Sequence, residues 1–131
     1  MFQFSTRVQY GLEIMEVLAH SPEGYSSVSG LASQTRRSAG YLQQIIKPLK
    51  QAGLIKSKEG VGGGIKLAKR PEDVTLYEVL KALDGEVQPM SCLAAGHECP
   101  ASQTCGHRKY WSQITNLLEE QFKKTTLVDL K

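Results

Sequence analysis

Apolar residues recur at helical spacing from the start of the chain. Tyr10, Ile14, Val17 and Leu18 fall at i, i+4, i+7 and i+8, which predicts a helix from Ser5 to about His20. SPEG at 21–24 predicts a turn. Ser27 or Ser29 can cap a short second helix reaching about Ser33, with Val28, Leu31 and Ala32 facing inward. Ser38 is a suitable N-cap for a third helix through Ala52. Its inner side carries Tyr41, Leu42, Ile45, Ile46 and Leu49. Gly53 supplies a left-handed stop, and Leu54 follows where an apolar contact belongs. Pro48 lies inside that helix, where a missing N–H predicts a kink.

The period then changes. LIKSK at 54–58 and GIKLA at 64–68 read as two short strands around the glycine-rich EGVGGG. Thr75 and Glu78 form the pattern of a capping box, opening a fourth helix that runs to Leu83 and stops at Gly85. Residues 86–107 show no periodicity. Helical spacing returns with Trp111, Ile114, Leu117, Leu118 and Phe122, a terminal one-sided apolar helix that needs a surface to cover. Three helices followed by a basic hairpin give a mainly α fold class. We read it as a winged helix-turn-helix with a small β-hairpin wing and a long C-terminal dimerisation helix. The expected organisation is a winged-helix domain over 1–85, a cysteine-rich loop over 86–107, and a dimerisation helix and tail over 108–131.

Composition sharpens this picture. With 131 residues, 40% hydrophobic and 22% charged, the chain can bury one core. It has no apolar run long enough for a membrane span, and MFQFSTRVQYGLEIM lacks the pattern of a secretory signal. A cytoplasmic protein is expected, in which thiols stay reduced. Net charge is only +3, but nine of the sixteen Lys and Arg residues lie within 36–70 beside a single acid, Glu59. Such a run usually marks a solvated face. Its coincidence with the helix–turn–hairpin pattern points to a polyanion. No nucleophile–base constellation appears, and GVGGG lacks the spacing of a phosphate loop, so an enzyme is not expected.

In a helix-turn-helix, the N-terminal residues of the second helix meet base edges in the major groove. Here these are Ser38, Ala39, Gly40, Tyr41, Gln43, Gln44 and Lys47. Gln suits adenine, Lys suits guanine or phosphate, and Ala39 and Gly40 permit close approach. The Tyr41 ring could equally close the core. Arg36 and Arg37 in the turn are placed for phosphates. Lys56, Lys58 and Lys66 on the hairpin would follow the backbone, and Gly62 and Gly63 let its tip come close.

Cys92, Cys99 and Cys105 follow the pattern Cys-x6-Cys-x5-Cys. Thiolates suit zinc, copper(I) or iron–sulfur clusters. Zinc knuckles usually use tighter pairs, and wider spacing lets a loop wrap a larger object. Three thiols leave one place open. His107 is the nearest intrachain candidate, with His97 and Glu98 close to Cys99.

The segment YLQQIIKPLKQAGLI at 41–55, the hairpin tip GVGGG at 60–64 and a three-cysteine loop before a Trp-led helix together resemble the Rrf family of bacterial regulators. The likeness runs over nearly the whole chain. It implies a winged-helix homodimer on a double-stranded DNA operator, with the long helix crossing to the partner. It also implies that Cys92, Cys99 and Cys105 hold a 2Fe–2S or 4Fe–4S iron–sulfur cluster near the dimer interface. Family members can carry a His three positions after the last cysteine, where this chain has Arg108, with His107 one step earlier. The family often has Arg where this hairpin has Glu59, and Glu occurs in place of Gln43. The reading is a DNA-binding transcriptional regulator, a repressor, controlled by a cluster that senses iron–sulfur status, redox state or nitric oxide. Two alternatives stand beside it: a winged-helix regulator with a structural zinc site, and a protein-interaction winged helix that does not bind DNA.

Overall fold

A computed structural model describes residues 3–21, 23–93, 100, 101 and 103–130. Five helices and one antiparallel hairpin follow the order α1 (Thr6–His20), α2 (Val28–Thr35), α3 (Ala39–Gln51), β1 (Ile55–Lys58), β2 (Gly64–Leu67), α4 (Leu76–Asp84) and α5 (Arg108–Lys124). Single 3-10 turns occupy Pro71–Asp73, Ser91–Leu93 and Leu127–Leu130.

Local chemistry accounts for the boundaries. Ser27 and Ser38 each accept a backbone N–H, from Gly30 and Tyr41, and so open α2 and α3. Helix α2 runs to Thr35, two residues beyond the expected end, and stops where Arg36 takes a left-handed conformation at φ 57°. Helix α3 continues past Pro48 to Gln51. Gly53 then turns at φ 77°, with its N–H donating to the Lys50 carbonyl and the Leu54 N–H donating to the Leu49 carbonyl. That pair is the double bond of a Schellman stop, and it delivers Leu54 into the core. Helix α4 opens on the complete Thr75–Glu78 capping box and ends at Gly85.

One core joins all of these elements. Ile14, Met15 and Leu18 of α1, Leu31 of α2, and Leu42, Ile45 and Leu49 of α3 are buried with Val79 and Leu80 of α4 and Ile65 and Leu67 of β2. Full burial stabilises by roughly 1.5–3 kcal/mol for each such large aliphatic side chain. Gly11 of α1 meets Leu83 of α4 so closely that a Cβ there would overlap its methyl group.

The two strands pair in register Ile55–Leu67, Lys56–Lys66, Ser57–Ile65 and Lys58–Gly64. A third segment joins them. Ser26 and Ile65 exchange two backbone hydrogen bonds, each 2.8 Å, which stitch the stretch before α2 to β2.

The last helix departs from the sequence pattern. The expected stripe of Trp111, Ile114, Leu117, Leu118 and Phe122 divides in two. Trp111, Leu118 and Phe122 are half-buried around Thr115, which is buried with its hydroxyl bonded to the Trp111 carbonyl. Ile114 and Leu117 face outward with Tyr110. The segment after α5 turns back onto the domain. Thr126 bridges Thr75, the Leu127 N–H donates to the Val74 carbonyl, and the Leu127 side chain is buried in the core.

Candidate nucleic-acid interface and cysteine loop

The outer face of α3 is polar because its apolar residues all point inward. Ser38, Ala39, Gly40, Gln43, Gln44 and Lys47 are exposed along its first three turns. Gln43, Lys47 and Lys50 share one groove with Ser57, Lys58 and Glu59 of the hairpin. The recognition helix and the wing therefore present side chains to a common space. Lys56 and Lys66, paired across the strands, line a second groove with Lys69 and Arg70. Gly62 lies at the exposed tip at φ 75°, and Gly63 packs so close to the Lys58 carbonyl that no side chain fits there.

Two residues read from the sequence as DNA contacts have partners within the domain. The half-buried Tyr41 ring meets the Tyr10 ring edge-on, with centroids 5.7 Å apart. The Arg37 guanidinium lies 3.9 Å from the Tyr10 ring centroid and donates to the Arg36 carbonyl. Tyr10, Arg37 and Tyr41 thus form one stack at the start of α3. Arg36 is exposed on its left-handed turn.

In the cysteine loop, Cys92 and Cys105 are half-buried free thiols. Cys99, with His97 and Glu98, lies outside the described residues. Arg108, the first residue of α5, donates to the Cys92 carbonyl at 3.3 Å, which brings one end of the loop to that helix terminus. Cys105 stands just before the same terminus, with its Sγ 3.6 Å from His107 Nε2. The Trp111 indole N–H contacts His107 Nδ1 at 3.1 Å. An indole N–H can only donate, so Nδ1 accepts, and in the neutral ring the proton sits on Nε2 facing the sulfur. Among the described residues, no three metal-ligating side chains come together.

Three residues that shape these sites escape sequence reasoning. Tyr10 holds Arg37 and Tyr41, Trp111 sets the His107 ring, and Tyr25 lies under two wing lysines. Aromatic residues at half-buried helix and turn positions look like ordinary packing in a sequence. Only the fold shows which cation or ring they meet.

A polar recognition helix beside a lysine-rich hairpin, built on a three-helix core, defines a winged-helix DNA-binding regulator. The proteins it matches are named as transcriptional regulators, not enzymes. The chain belongs to the Rrf2 family, described as iron-dependent transcriptional regulators, whose family model matches residues 4–131. It is 36% identical to the HTH-type transcriptional regulator CymR of Bacillus subtilis over 98% of this chain and 88% of that protein. It is 26% identical to the regulator IscR of Aliivibrio salmonicida over 89% of this chain and 69% of that protein. Among solved structures, that of CymR, the global cysteine regulator of B. subtilis, superimposes with a TM-score of 0.79 at 35% identity, covering 99% of this chain and 96% of that one. T. potens IscR superimposes with a TM-score of 0.74 at 28% identity, covering 98% and 85%. No helix among the described residues is long and apolar enough to cross a membrane.

Proposed function

We propose that this regulator binds its operator as a homodimer, acts as a repressor, and is controlled by an iron–sulfur cluster held by Cys92, Cys99 and Cys105. The observation that carries the reading is the donor set. Three thiols stand in one loop; Cys105 lies just before α5, and the Cys92 carbonyl accepts from Arg108 at the start of that helix. Soft thiolates at that spacing suit a cluster. When bound, the cluster supplies a redox-responsive crosslink between the ends of the loop. For His107 to fill the fourth ligand position, Nε2 would have to lose the proton it points at Cys105, and the ring would have to move to the tautomer in which Nδ1 no longer accepts from Trp111.

The residues of this chain then divide the work. Gln43, Gln44 and Lys47 face base edges, and Arg36, Lys56 and Lys58 follow phosphates. Arg108 ties the loop to α5, so a change in the loop is felt at the helix that carries the outward apolar stripe. Tyr110, Ile114 and Leu117 on that stripe support a two-fold dimer. A two-fold assembly places two recognition helices on half-sites about one helical turn apart.

Anaerobic purification, a visible spectrum, and iron, sulfide and zinc analysis test the reading. A brown protein containing iron and sulfide is expected, and each Cys→Ser substitution should bleach it. Footprinting of the metal-loaded and stripped forms on one operator should show a 5–150-fold difference, about the usual span of such coupling. A colourless zinc protein, or equal affinities, would refute cluster control and leave DNA binding intact. One second reading is favoured by the likeness to CymR, the global cysteine regulator of B. subtilis. It makes this a cysteine-responsive regulator that holds no cluster, rests on that likeness alone, and predicts neither iron nor sulfide.

A further inference from the structure

The wing carries like charges where a sheet tolerates them least. Lys56 and Lys66 are directly opposed across β1 and β2, and Lys58 lies diagonal to Lys66 on the same face. Like charges in these positions repel, and a sheet built for stability alone would place an acid among them. Among the described residues, none of the three lysines forms an ion pair. The Ser26–Ile65 bridge extends the register by one strand, so that Tyr25 stands beside Lys66 and continues the row Lys56–Lys66–Tyr25. The half-buried Tyr25 ring lies 5.0 Å from the Lys66 ammonium and 5.9 Å from that of Lys58. One aromatic ring thus lies within cation–π reach of two ammonium groups, which a carboxylate would neutralise and an aliphatic residue would leave free.

Gly64 makes this juxtaposition possible. A Cβ there would sit 2.1 Å from the Ser26 carbonyl oxygen, so only glycine lets the Tyr25 segment lie against the wing. Lys58 also lines the groove shared with Lys47 and Lys50 of α3, which puts the Tyr25-held pair beside the DNA-reading helix.

We propose that Tyr25 is a positioning residue for DNA binding, whose ring holds Lys58 and Lys66 as one preorganised site for a backbone phosphate. The ring leaves both charges intact and removes the freedom that two flexible lysine side chains would otherwise lose on binding. The phenol oxygen is not required.

The test compares the full-length chain with its Tyr25→Leu, Tyr25→Phe and Lys66→Gln variants on a labelled duplex selected by the wild-type protein from a random-sequence pool. Affinity is measured across a salt series. Tyr25→Leu should weaken binding at low salt by about two- to tenfold. Its log–log salt dependence should become shallower by about one, the contribution of one phosphate contact. Tyr25→Phe should stay within about twofold of wild type, because the ring face is retained. Adding Lys66→Gln to Tyr25→Leu should cost less than the two losses combined. In the free wild-type protein, NMR should place the ε-methylene protons of Lys58 and Lys66 upfield through the ring current, a readout that needs no variant to fold. Unshifted lysine protons overturn the proposal. So does a Tyr25→Leu variant with an unchanged salt slope, whatever its affinity, and so does a Tyr25→Phe loss equal to that of Tyr25→Leu.

Discussion

Replacing Gly64 with alanine tests how the wing is joined to the domain. Two separate facts oppose a side chain there. The backbone sits at φ 141°, a region that L residues rarely adopt, and the new Cβ would lie 2.1 Å from the Ser26 carbonyl oxygen and 2.5 Å from its carbonyl carbon. Both contacts are to backbone, so relief requires the Ser26 segment and β2 to separate. Separation breaks the two 2.8 Å hydrogen bonds between Ser26 and Ile65. The two bonds together contribute about 1–3 kcal/mol, so a loss centred on about 2 kcal/mol is expected. For a domain of this size that lowers Tm by roughly 6–10 °C. Gly62→Ala is the control. It also has positive φ, at 75°, but nothing lies within 4 Å of a Cβ there, so only dihedral strain of about 1 kcal/mol remains. Urea and thermal unfolding of both variants measure the difference. If Gly64→Ala unfolds within about 0.5 kcal/mol of Gly62→Ala, the close approach of the two backbones is not a constraint and the reasoning fails.

Three further outcomes are expected. Arg36 holds a left-handed conformation as a non-glycine residue, so Arg36→Gly should raise stability by up to about 1 kcal/mol while weakening DNA binding; unfolding and salt-dependent titrations report the two effects separately. Burial raises the Glu78 carboxyl pKa, but hydrogen bonds from Lys69 and the Thr75 backbone and the Lys69 charge outweigh it, and the group titrates below its ordinary value of 4.5. Its contribution is therefore full above the unfolded carboxyl range and is lost as pH falls from there through the lowered folded value. Glu78→Gln, which can keep the capping bond, should flatten the decline in stability below about pH 5 in acid titrations of unfolding. Ile114 and Leu117 are 41% and 66% exposed, so Leu117→Glu should leave the fold intact and yield a monomer in sedimentation, whereas an unchanged mass would rule out that stripe as the dimer surface.

The sequence carries most of α1 to α4 because those boundaries rest on local chemistry. Ser38, Gly53 and the Thr75–Glu78 box each satisfy backbone groups within a few residues, and such signals need no tertiary context. The strands were legible for the same reason, since GVGGG fixes the turn. The inner face of α5 was less legible. Trp111, Ile114, Leu117, Leu118 and Phe122 form one broad apolar band, and only the position of α4 and the returning Leu127 decides which half is covered. Thr115 hides in the covered half because its hydroxyl is satisfied by its own helix, which hydropathy alone does not reveal. For the interface, exposure of Gln43, Gln44 and Lys47 follows directly from the burial of Leu42, Ile45 and Ile46. The internal stacking of Arg37 and Tyr41 does not, because it depends on Tyr10, a residue about thirty positions away that a single helix period cannot place.

The return of the chain after α5 has a mechanical consequence. The Thr126–Thr75 bridge and buried Leu127 pin the far end of the helix, while its near end meets the cysteine loop through Arg108. A rod pinned at one end cannot slide along its axis; it swings. At 17 residues α5 is about 25 Å long, so a tilt of about five degrees around Thr125–Leu127 carries the Arg108 end roughly 2 Å while the pivot stays still. Displacement of this kind would be largest beside Cys105 and smallest at Leu127, and it would have to be absorbed where Trp111 and Thr115 meet the domain.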